Sequence, residues 1–418
     1  MTDRTVRKSI FDPVHGTILL DGPALELVST AVFQRLWGIR QTGFAHLVFP
    51  GANHTRLEHS LGTFWVAGQM AERLGLGRLA RSRVTAGALL HDLGHAPFSH
   101  TLDGPLQEVL NVSHEGISRA RIEGSAVADW PVEEEVPRIL ERSGVRPRDV
   151  ANLVDPTGGR PKFALERAIL HGAVDADRID YLQRDAHYTG VAHGAVDAGR
   201  LLETVREDSG HIAFAEKGRS AVEGFLVGRA LMYSTVYYHK TVRAAETMAQ
   251  AAVERLPGYP ESARELFRWT DGELLAWLRD SGNITGELAR GLLARRLYKR
   301  AFGRREVSGS ERAGWRRLLR SPAERRAAED GAADALRAPK GSVLIDLAGL
   351  EPRRIPGDDW ASVRVLRDGS VEYPFRSPSP WRSMAERAPA DWAVSVYVAP
   401  RLRAAAVRWF ERDPSALP

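Results

Sequence analysis

Three histidines and an aspartate crowd the run Leu89-Leu90-His91-Asp92-Leu93-Gly94-His95-Ala96-Pro97-Phe98-Ser99-His100. Imidazoles and carboxylates together make a borderline-hard N/O donor set suited to Fe, Mn, Zn, Ni or Mg rather than Cu(I). An ion so held acidifies water and polarises a phosphoryl oxygen. The plainer account is a helix that stops at Gly94, with histidines near its negative dipole end and Pro97 as a breaker. On a continuous helix His91 and Asp92 diverge by about 100°, and His95 shares the face of His91.

Two further segments weigh against the plainer account. His54-Thr55-Arg56-Leu57-Glu58-His59-Ser60 sets His, Arg, Glu and His at the mouth of a helix. Asp175-Ala176-Asp177-Arg178-Ile179-Asp180-Tyr181-Leu182-Gln183-Arg184-Asp185 sets four Asp in a helical pattern, with Asp177, Tyr181 and Asp185 stepping by four. A solvated, salt-bridged face fits this stripe poorly, because Leu170, Val174 and Tyr181 belong near it.

The elements that must position these groups are mostly helices. A hairpin is expected first, Arg7 to Phe11 and Thr17 to Leu20 flanking Asp12-Pro13-Val14-His15-Gly16. From Pro23 the pattern turns helical, with Leu25, Val28, Val32, Leu36 and Ile39 on one stripe. Helices are expected from Arg56 to Leu74, through Val84, Ala88 and His91, and over 133–143, 164–186, 220–255, 261–282 and 286–301. His211 to Ala215 alternates like a strand. After an Arg- and Ala-rich stretch, strands are expected at Val343–Leu347, Val363–Leu366 and Val394–Val398, then a helix from Arg401 to Arg412. The expected organisation is mainly α: a hairpin over 1–22, a helical domain over 23–300 and a smaller mixed α/β region over 301–418.

Composition narrows the chemistry. The 418 residues are 43% apolar and 27% charged, with a net charge of +5, and contain no Cys. Disulfides, thiolate metal sites and Cys nucleophiles are therefore excluded. Only six of the 58 basic residues are Lys, at 8, 162, 217, 240, 299 and 340. No apolar run approaches the roughly 18 residues of a membrane span, and Met1 to Ile10 lacks a secretory h-region. A cytoplasmic protein that engages no membrane is expected.

The order His59 … His91-Asp92 … Asp177 resembles the signature of HD-domain metal-dependent phosphohydrolases. Phe33-Gln34-Arg35-Leu36, Phe49-Pro50-Gly51-Ala52, Arg56 to Gly62, His91 to His100 and Asp177 to Asp185 follow in sequence. Together they resemble the deoxynucleoside triphosphate triphosphohydrolases, from about Ile10 to about Met248. The resemblance implies an HD-domain helical body in which His59, His91, Asp92 and Asp177 hold one transition metal ion, with Mg²⁺ compatible with the substrate triphosphate. His95, His100, His114 and Glu115 match positions that line the scissile phosphate and move protons. Arg56 matches a contact to the α-phosphate, and Arg178, Tyr181 and Arg229 match positions around the triphosphate. Gln41, Asp185 and Tyr237 match positions that hold the sugar. The resemblance implies water attack at the α-phosphorus, a nucleotide substrate and a homo-oligomer. Where nucleotide-activated relatives carry an Asp and an Arg beside Phe-Gln-Arg-Leu, this chain has Ser29 and Trp37, and Phe11 replaces an Asn. Nucleotide activation is therefore not part of the expectation.

Two other readings compete. An HD phosphohydrolase acting on a nucleoside monophosphate or a phosphorylated metabolite would use the same metal ligands. A nucleic-acid-binding role for the Arg-rich stretch 295–326 has thin support, because aromatic residues for base stacking are scarce there beyond Trp315.

Overall fold

The computed structural model describes residues 7–155, 163–307, 309–350, 361–376, 383, 392–413 and 417. The first six residues, on which the N-terminal reading partly rests, lie outside these. Strands β1 (Arg7–Asp12) and β2 (Gly16–Asp21) form the expected antiparallel hairpin. Asp12 closes its turn by accepting the backbone N–H of Val14 at 2.9 Å and of His15 at 2.8 Å.

The stripe read as one helix from Pro23 to Ile39 is instead three short pieces. These are α1 (Gly22–Ser29), α2 (Ala31–Gln34) and a 3₁₀ turn over Arg35–Gly38. Thr30 breaks the run: it is extended, with φ −67° and ψ 146°, and its side chain accepts from Phe33 N–H. A local side-chain cap has won over the helical period. The buried residues become Leu27, Val28, Phe33, Leu36 and Ile39.

Then come α3 (Arg56–Arg73), opened by a Thr55/Glu58 capping box, and α4 (Arg78–Leu90). Short helices α5 (Asp103–Leu110), α6 (His114–Glu123), α7 (Glu135–Arg142) and α8 (Pro147–Val154) follow. The helix expected over 164–186 is split into α9 (Ala164–His171) and α10 (Ala176–Thr189). Asp175 starts α10 afresh by capping Arg178 N–H at 2.8 Å. After α11 (Ala198–Thr204), β3 (Val205–Asp208) and β4 (His211–Ala215), the expected 220–255 helix also divides. Its parts are α12 (Arg219–Met232), a π turn over Tyr233–Tyr237 and α13 (Lys240–Glu254), which His239 caps. Likewise 261–282 is a 3₁₀ segment, Glu261–Arg268, followed by α14 (Asp271–Arg279).

Helix α15 (Ile284–Leu293) stops well before residue 301, and the chain enters β5 (Lys299–Arg304). The expected domain boundary at 300/301 falls inside this strand. Beyond it lie α16 (Gly309–Arg320), α17 (Pro322–Ala335), β6 (Val343–Asp346), β7 (Arg364–Arg367), β8 (Ser370–Glu372), β9 (Val394–Val398) and α18 (Arg403–Arg412). One sheet has the order β5-β9-β6, and another β3-β4-β7-β8 with β7 parallel to β4. The later chain thus completes a sheet begun in the helical body.

What matters for the site is the crossing of α3 and α10. Met70, Ala71, Ile179 and Leu182 are buried in one core there with Val84 and Phe225. Gly62 lets the helices close up, since a Cβ at this position would lie 1.8 Å from Asp180 Oδ1. Mainly helical, with an N-terminal hairpin and small later sheets, is the class the fold shows.

Candidate metal centre and its cavity

Helix α4 ends at Leu90 and His91 is its cap, so the next residues leave the helix axis. The expectation that His91 and His95 share a helical face is corrected by this turn. His91 Nε2 lies 3.1 Å from Asp92 Oδ1, and His95 Nε2 lies 3.3 Å from the same oxygen. Gly94 is required for close approach: a Cβ there would sit 2.0 Å from the carbonyl of His114. The first turn of α3 adds His59, and the start of α10 adds Asp177. His59 Nε2 is 2.9 Å from Asp177 Oδ1 and 3.8 Å from Asp92 Oδ2, while His91 Nε2 is 3.8 Å from Asp177 Oδ1.

Donor atoms of His59, His91 and Asp92 all fall within 4.8 Å of one another, a group able to hold a divalent ion. The outer shell fits that use. His91 Nδ1 is bonded to the Ala88 carbonyl at 2.8 Å, which fixes its proton there and leaves Nε2 as a lone pair. That Nε2 is buried and makes no hydrogen bond. His59 Nδ1 is bonded to Asp180 Oδ2 at 2.7 Å and its Nε2 to Asp177 Oδ1 at 2.9 Å; burial opposes charge on this ring, but the two carboxylates raise it to about 10, so its Nε2 carries a proton that an ion would replace. A carboxylate or carbonyl behind each ligating imidazole is the usual support of a metal site.

Asp180 is wholly buried and also takes His15 Nε2 at 2.6 Å and Arg184 at 2.9 and 3.0 Å. Burial would raise its carboxyl, but Arg184, His15 and His59 outweigh burial and hold it well below the ordinary value. Asp92 is held low in the same way, chiefly by Arg56, whose Nη1 donates to Asp92 Oδ2 at 2.6 Å. Asp177 is also lowered: burial opposes this, and the His59 hydrogen bond prevails.

A second group lies beside the first. His95 stacks on His114 with ring centroids 4.0 Å apart, and His100 meets His95 edge-on at 4.8 Å. Asp103 joins them, 3.0 Å from His100 Nδ1 and 3.5 Å from His114 Nδ1. His114 Nε2 is 3.2 Å from Glu115. Burial opposes charge on His114, but Asp103 and Glu115 raise it to about 9. His95 goes the other way, pushed well below its usual value by burial, Arg56 and His114. One imidazole is thus held charged and its stacking partner neutral. That split is how proton donors and acceptors are separated within one site.

A cavity of about 640 Å³ is lined by both groups, including His91, Asp92, Asp177, His95, His100, His114 and Glu115, with Gln41, Arg56 and Tyr181. Gln41 Oε1 is buried without a hydrogen-bond partner among the described residues. The other expected substrate residues do not line this cavity. Asp185 is one layer back, accepting from His54 Nε2 at 2.7 Å and from the hydroxyl of Tyr237. Arg229 Nε donates to the Tyr181 hydroxyl at 3.2 Å. Arg178 donates to Asp175 at 2.7 Å and to the Gly172 carbonyl.

Sequence reasoning gave no role to Asp180, Asp103, His15 or His54. For two of them a signal existed: Asp180 follows Asp177 by three on α10, and Asp103 follows His100 by three. His54 stood in the His54–Ser60 run without a partner to suggest its role, and His15 is recruited by tertiary contact with no signal in the sequence.

Helices that cross to gather a His … His-Asp … Asp cluster define the HD class of proteins. The chain belongs to that family: the HD domain matches residues 56–185 and the HD associated region residues 196–412. It is similar to an uncharacterized protein of Methanocaldococcus jannaschii, 39% identical over 297 residues, covering 70% of this chain and 59% of that one. It is also similar to deoxynucleoside triphosphate triphosphohydrolase SAMHD1 of Gallus gallus, 31% identical over 284 residues, covering 60% of this chain and 45% of that one. The chain thus spans about half the length of these curated relatives. A hypothetical protein from Aquifex aeolicus has the same fold, with a TM-score of 0.73, 25% identity and coverage of 96% and 99% of the two chains. Among the described residues no helix is long and apolar enough to cross a membrane.

Proposed function

We propose that this chain hydrolyses deoxynucleoside triphosphates to deoxynucleoside and inorganic triphosphate, by attack of water at the α-phosphorus. The observation that carries the reading is that one cavity of about 640 Å³ is lined from two adjoining clusters, His91, Asp92 and Asp177 on one side and His95, His100, Asp103 and His114 on the other, each with donors close enough to hold an ion; we assign the ion to the first cluster and proton transfer to the second. That volume is in the range of small-molecule sites, roughly 300–1,000 Å³. His59, His91, Asp92 and Asp177 would hold the ion. When bound, it supplies charge to polarise a phosphoryl oxygen and to acidify water.

The chain's own groups do the rest. Arg56, kept in place by Asp92 and by Ser99 at 2.7 Å, presents positive charge at the reacting phosphate. His114 is charged at neutral pH and stands in contact with His95 and Asp103, so this group can deliver a proton to the 5′ oxygen that leaves. Gln41 Oε1 awaits a donor, which a sugar hydroxyl would provide. Tyr181, backed by Arg229 and Tyr237, gives the cavity a firm aromatic wall. The named triphosphohydrolase among the relatives supports the substrate class.

A second reading, a phosphatase for nucleoside monophosphates, is favoured by one observation. Among the described residues Arg56 is the single guanidinium that lines the cavity, whereas Arg178 and Arg229 bond Asp175 and Tyr181. A panel of dNTPs, NTPs and monophosphates, each with Mn²⁺, Mg²⁺, Zn²⁺, Ni²⁺ or Fe²⁺, separates the two. Inorganic triphosphate from a dNTP supports the first reading. Orthophosphate from a monophosphate, with dNTPs untouched, overturns it.

A further inference from the structure

The segment Phe267–Asp271 lies outside the HD domain proper, yet it grips the turn that carries the histidines. Phe98 and Ser99 stand at φ 58° and 54°, two successive left-handed residues without glycine. Such backbone is strained for residues that carry a Cβ and persists only where the surroundings enforce it. Both residues are buried, and the Phe98 ring stacks on Phe44 with centroids 4.3 Å apart.

The enforcement comes from several named bonds. Asp271 Oδ1 accepts Phe98 N–H at 2.6 Å, and Asp271 Oδ2 accepts Arg40 N–H at 3.0 Å. Arg35 donates to the His95 carbonyl at 2.9 Å and to the carbonyls of Phe267, Arg268 and Trp269 at 2.9, 2.5 and 2.8 Å. Ser99 Oγ donates to the Arg40 carbonyl at 2.7 Å. His95, His100 and Gln41 therefore hang from backbone that Asp271 ties together.

Helix α14 itself has no need of this carboxylate. Its N-terminus is already closed by the Thr270/Glu273 capping box. Asp271 is 2% exposed, and burial pushes its carboxyl up to about 6 against the bonds from Arg40 and Phe98. Keeping the ion buried at neutral pH opposes folding by more than the modest gain of a first-turn carboxylate at a helix N-terminus.

We propose that Asp271 is a positioning residue, whose carboxylate bridges the backbone N–H groups of Arg40 and Phe98 and so holds the left-handed turn that aims His95 and His100 into the cavity beside Gln41. The inference rests on the reading of the cavity as a phosphohydrolase site. It makes the HD associated region a working part of that site.

The test compares Asp271→Asn with Thr270→Ala in the full chain. Asn keeps one acceptor oxygen but turns an N–H₂ toward the second donor. Asp271→Asn should lower kcat roughly 100-fold, as expected for a misplaced reacting group. Its KM and bound Mn²⁺ should stay within twofold of the parent. Thr270→Ala should lower the melting temperature and leave kcat alone, because it weakens the helix without touching the turn. A kcat within twofold of the parent for Asp271→Asn would overturn the proposal. So would a kcat loss matched by equal loss of bound Mn²⁺. Histidine ring NMR gives an arm independent of substrate: His95 and His100 resonances should move in Asp271→Asn while His59 and His91 stay. Unmoved His95 and His100 signals would also overturn it. If the parent turns over no phosphoester, the functional reading fails, and the NMR result alone decides the role of Asp271.

Discussion

Replacing Asp180 by Asn is the sharpest test of the metal centre, because Asp180 touches no cavity atom and acts only through its partners. It accepts from His59 Nδ1 at 2.7 Å, His15 Nε2 at 2.6 Å and Arg184 at 2.9 and 3.0 Å. Asn offers one oxygen in place of two and turns an amide donor toward these donors. The His59 tautomer then loses its lock. Loss of such an outer partner costs about 10–100-fold in metal affinity, which is about 1.4–2.7 kcal/mol. Stability should fall as well. Breaking a buried ion pair costs about 3–5 kcal/mol. The loss here should sit near the lower end, because Arg184 keeps Asp12 at 2.7 Å. Calorimetric titration with Mn²⁺ reads the first quantity and thermal melting of the metal-free chain the second. Arg184→Gln is the contrast: it breaks the ion pair but leaves the His59–Asp180 bond, so the melting temperature should drop with the Mn²⁺ affinity nearly kept. An Asp180→Asn chain that melts lower yet binds Mn²⁺ within twofold of the parent would refute the argument. It would mean that helix packing, and not Asp180, orients His59.

The remaining expectations concern the same frame. Gly62→Ala puts a Cβ 1.8 Å from Asp180 Oδ1, so it should displace that carboxylate and weaken Mn²⁺ binding in the same titration; unchanged binding would show that α3 and α10 can separate freely. His114 has its folded pKa raised to about 9, above its usual 6.5. Its contribution to stability is therefore full below pH 6.5 and is lost as pH climbs through about 9. Melting temperatures of the parent and His114→Gln should differ most at pH 6 and converge by pH 10, and a constant gap would contradict the assignment. Arg243 is bonded to Asp346 at 2.7 and 3.2 Å, joining α13 to β6, with both side chains largely buried. Arg243→Ala leaves that carboxylate unpaired, so stability should fall by about 3–5 kcal/mol in urea unfolding. A change under 1 kcal/mol would show that solvent reaches the pair.

How far the sequence disclosed the site depends on the distance over which residues must cooperate. His91, Asp92, His95 and His100 share one short run, and their candidacy for a metal or proton-transfer site was legible from residue types alone. His59 and Asp177 became legible through the order of motifs. The partners that orient them were not. His59 and Asp180 are 121 positions apart, and Phe98 and Asp271 are 173 apart. No periodicity reports such pairs, because each carboxylate is equally plausible as a solvated helix residue. The helical body was legible through its apolar spacing, but its breaks were not. Thr30, Asp175 and His239 each cap a new helix inside an unbroken hydrophobic pattern. Spacing records which face is buried, whereas a single capping side chain decides where the axis stops. Strand β5 was missed for the opposite reason. Its pairing with β9 brings together residues nearly a hundred positions apart, and Lys299, Arg300 and Arg304 hide the alternation.

The arginine surplus past residue 295 has part of its explanation in the same long-range pairing. Arg325 on α17 reaches Glu254 on α13 at 2.5 and 2.6 Å, and both are buried. Its neighbour Arg326 meets Glu108 on α5 at 3.3 Å, and Arg255 meets Glu329 at 2.9 Å. These guanidiniums fasten α17 onto the helical body instead of standing out as a polyanion-binding face. A planar donor with several N–H groups suits such joints, because it can satisfy two carboxylate oxygens at once where an ammonium cannot match the geometry. The contact with Glu108 has a consequence for the site, since α5 begins at Asp103, the partner of His100 and His114. The later region therefore approaches the cavity from two sides, through α17 at one end of α5 and through Asp271 at the Phe98 turn.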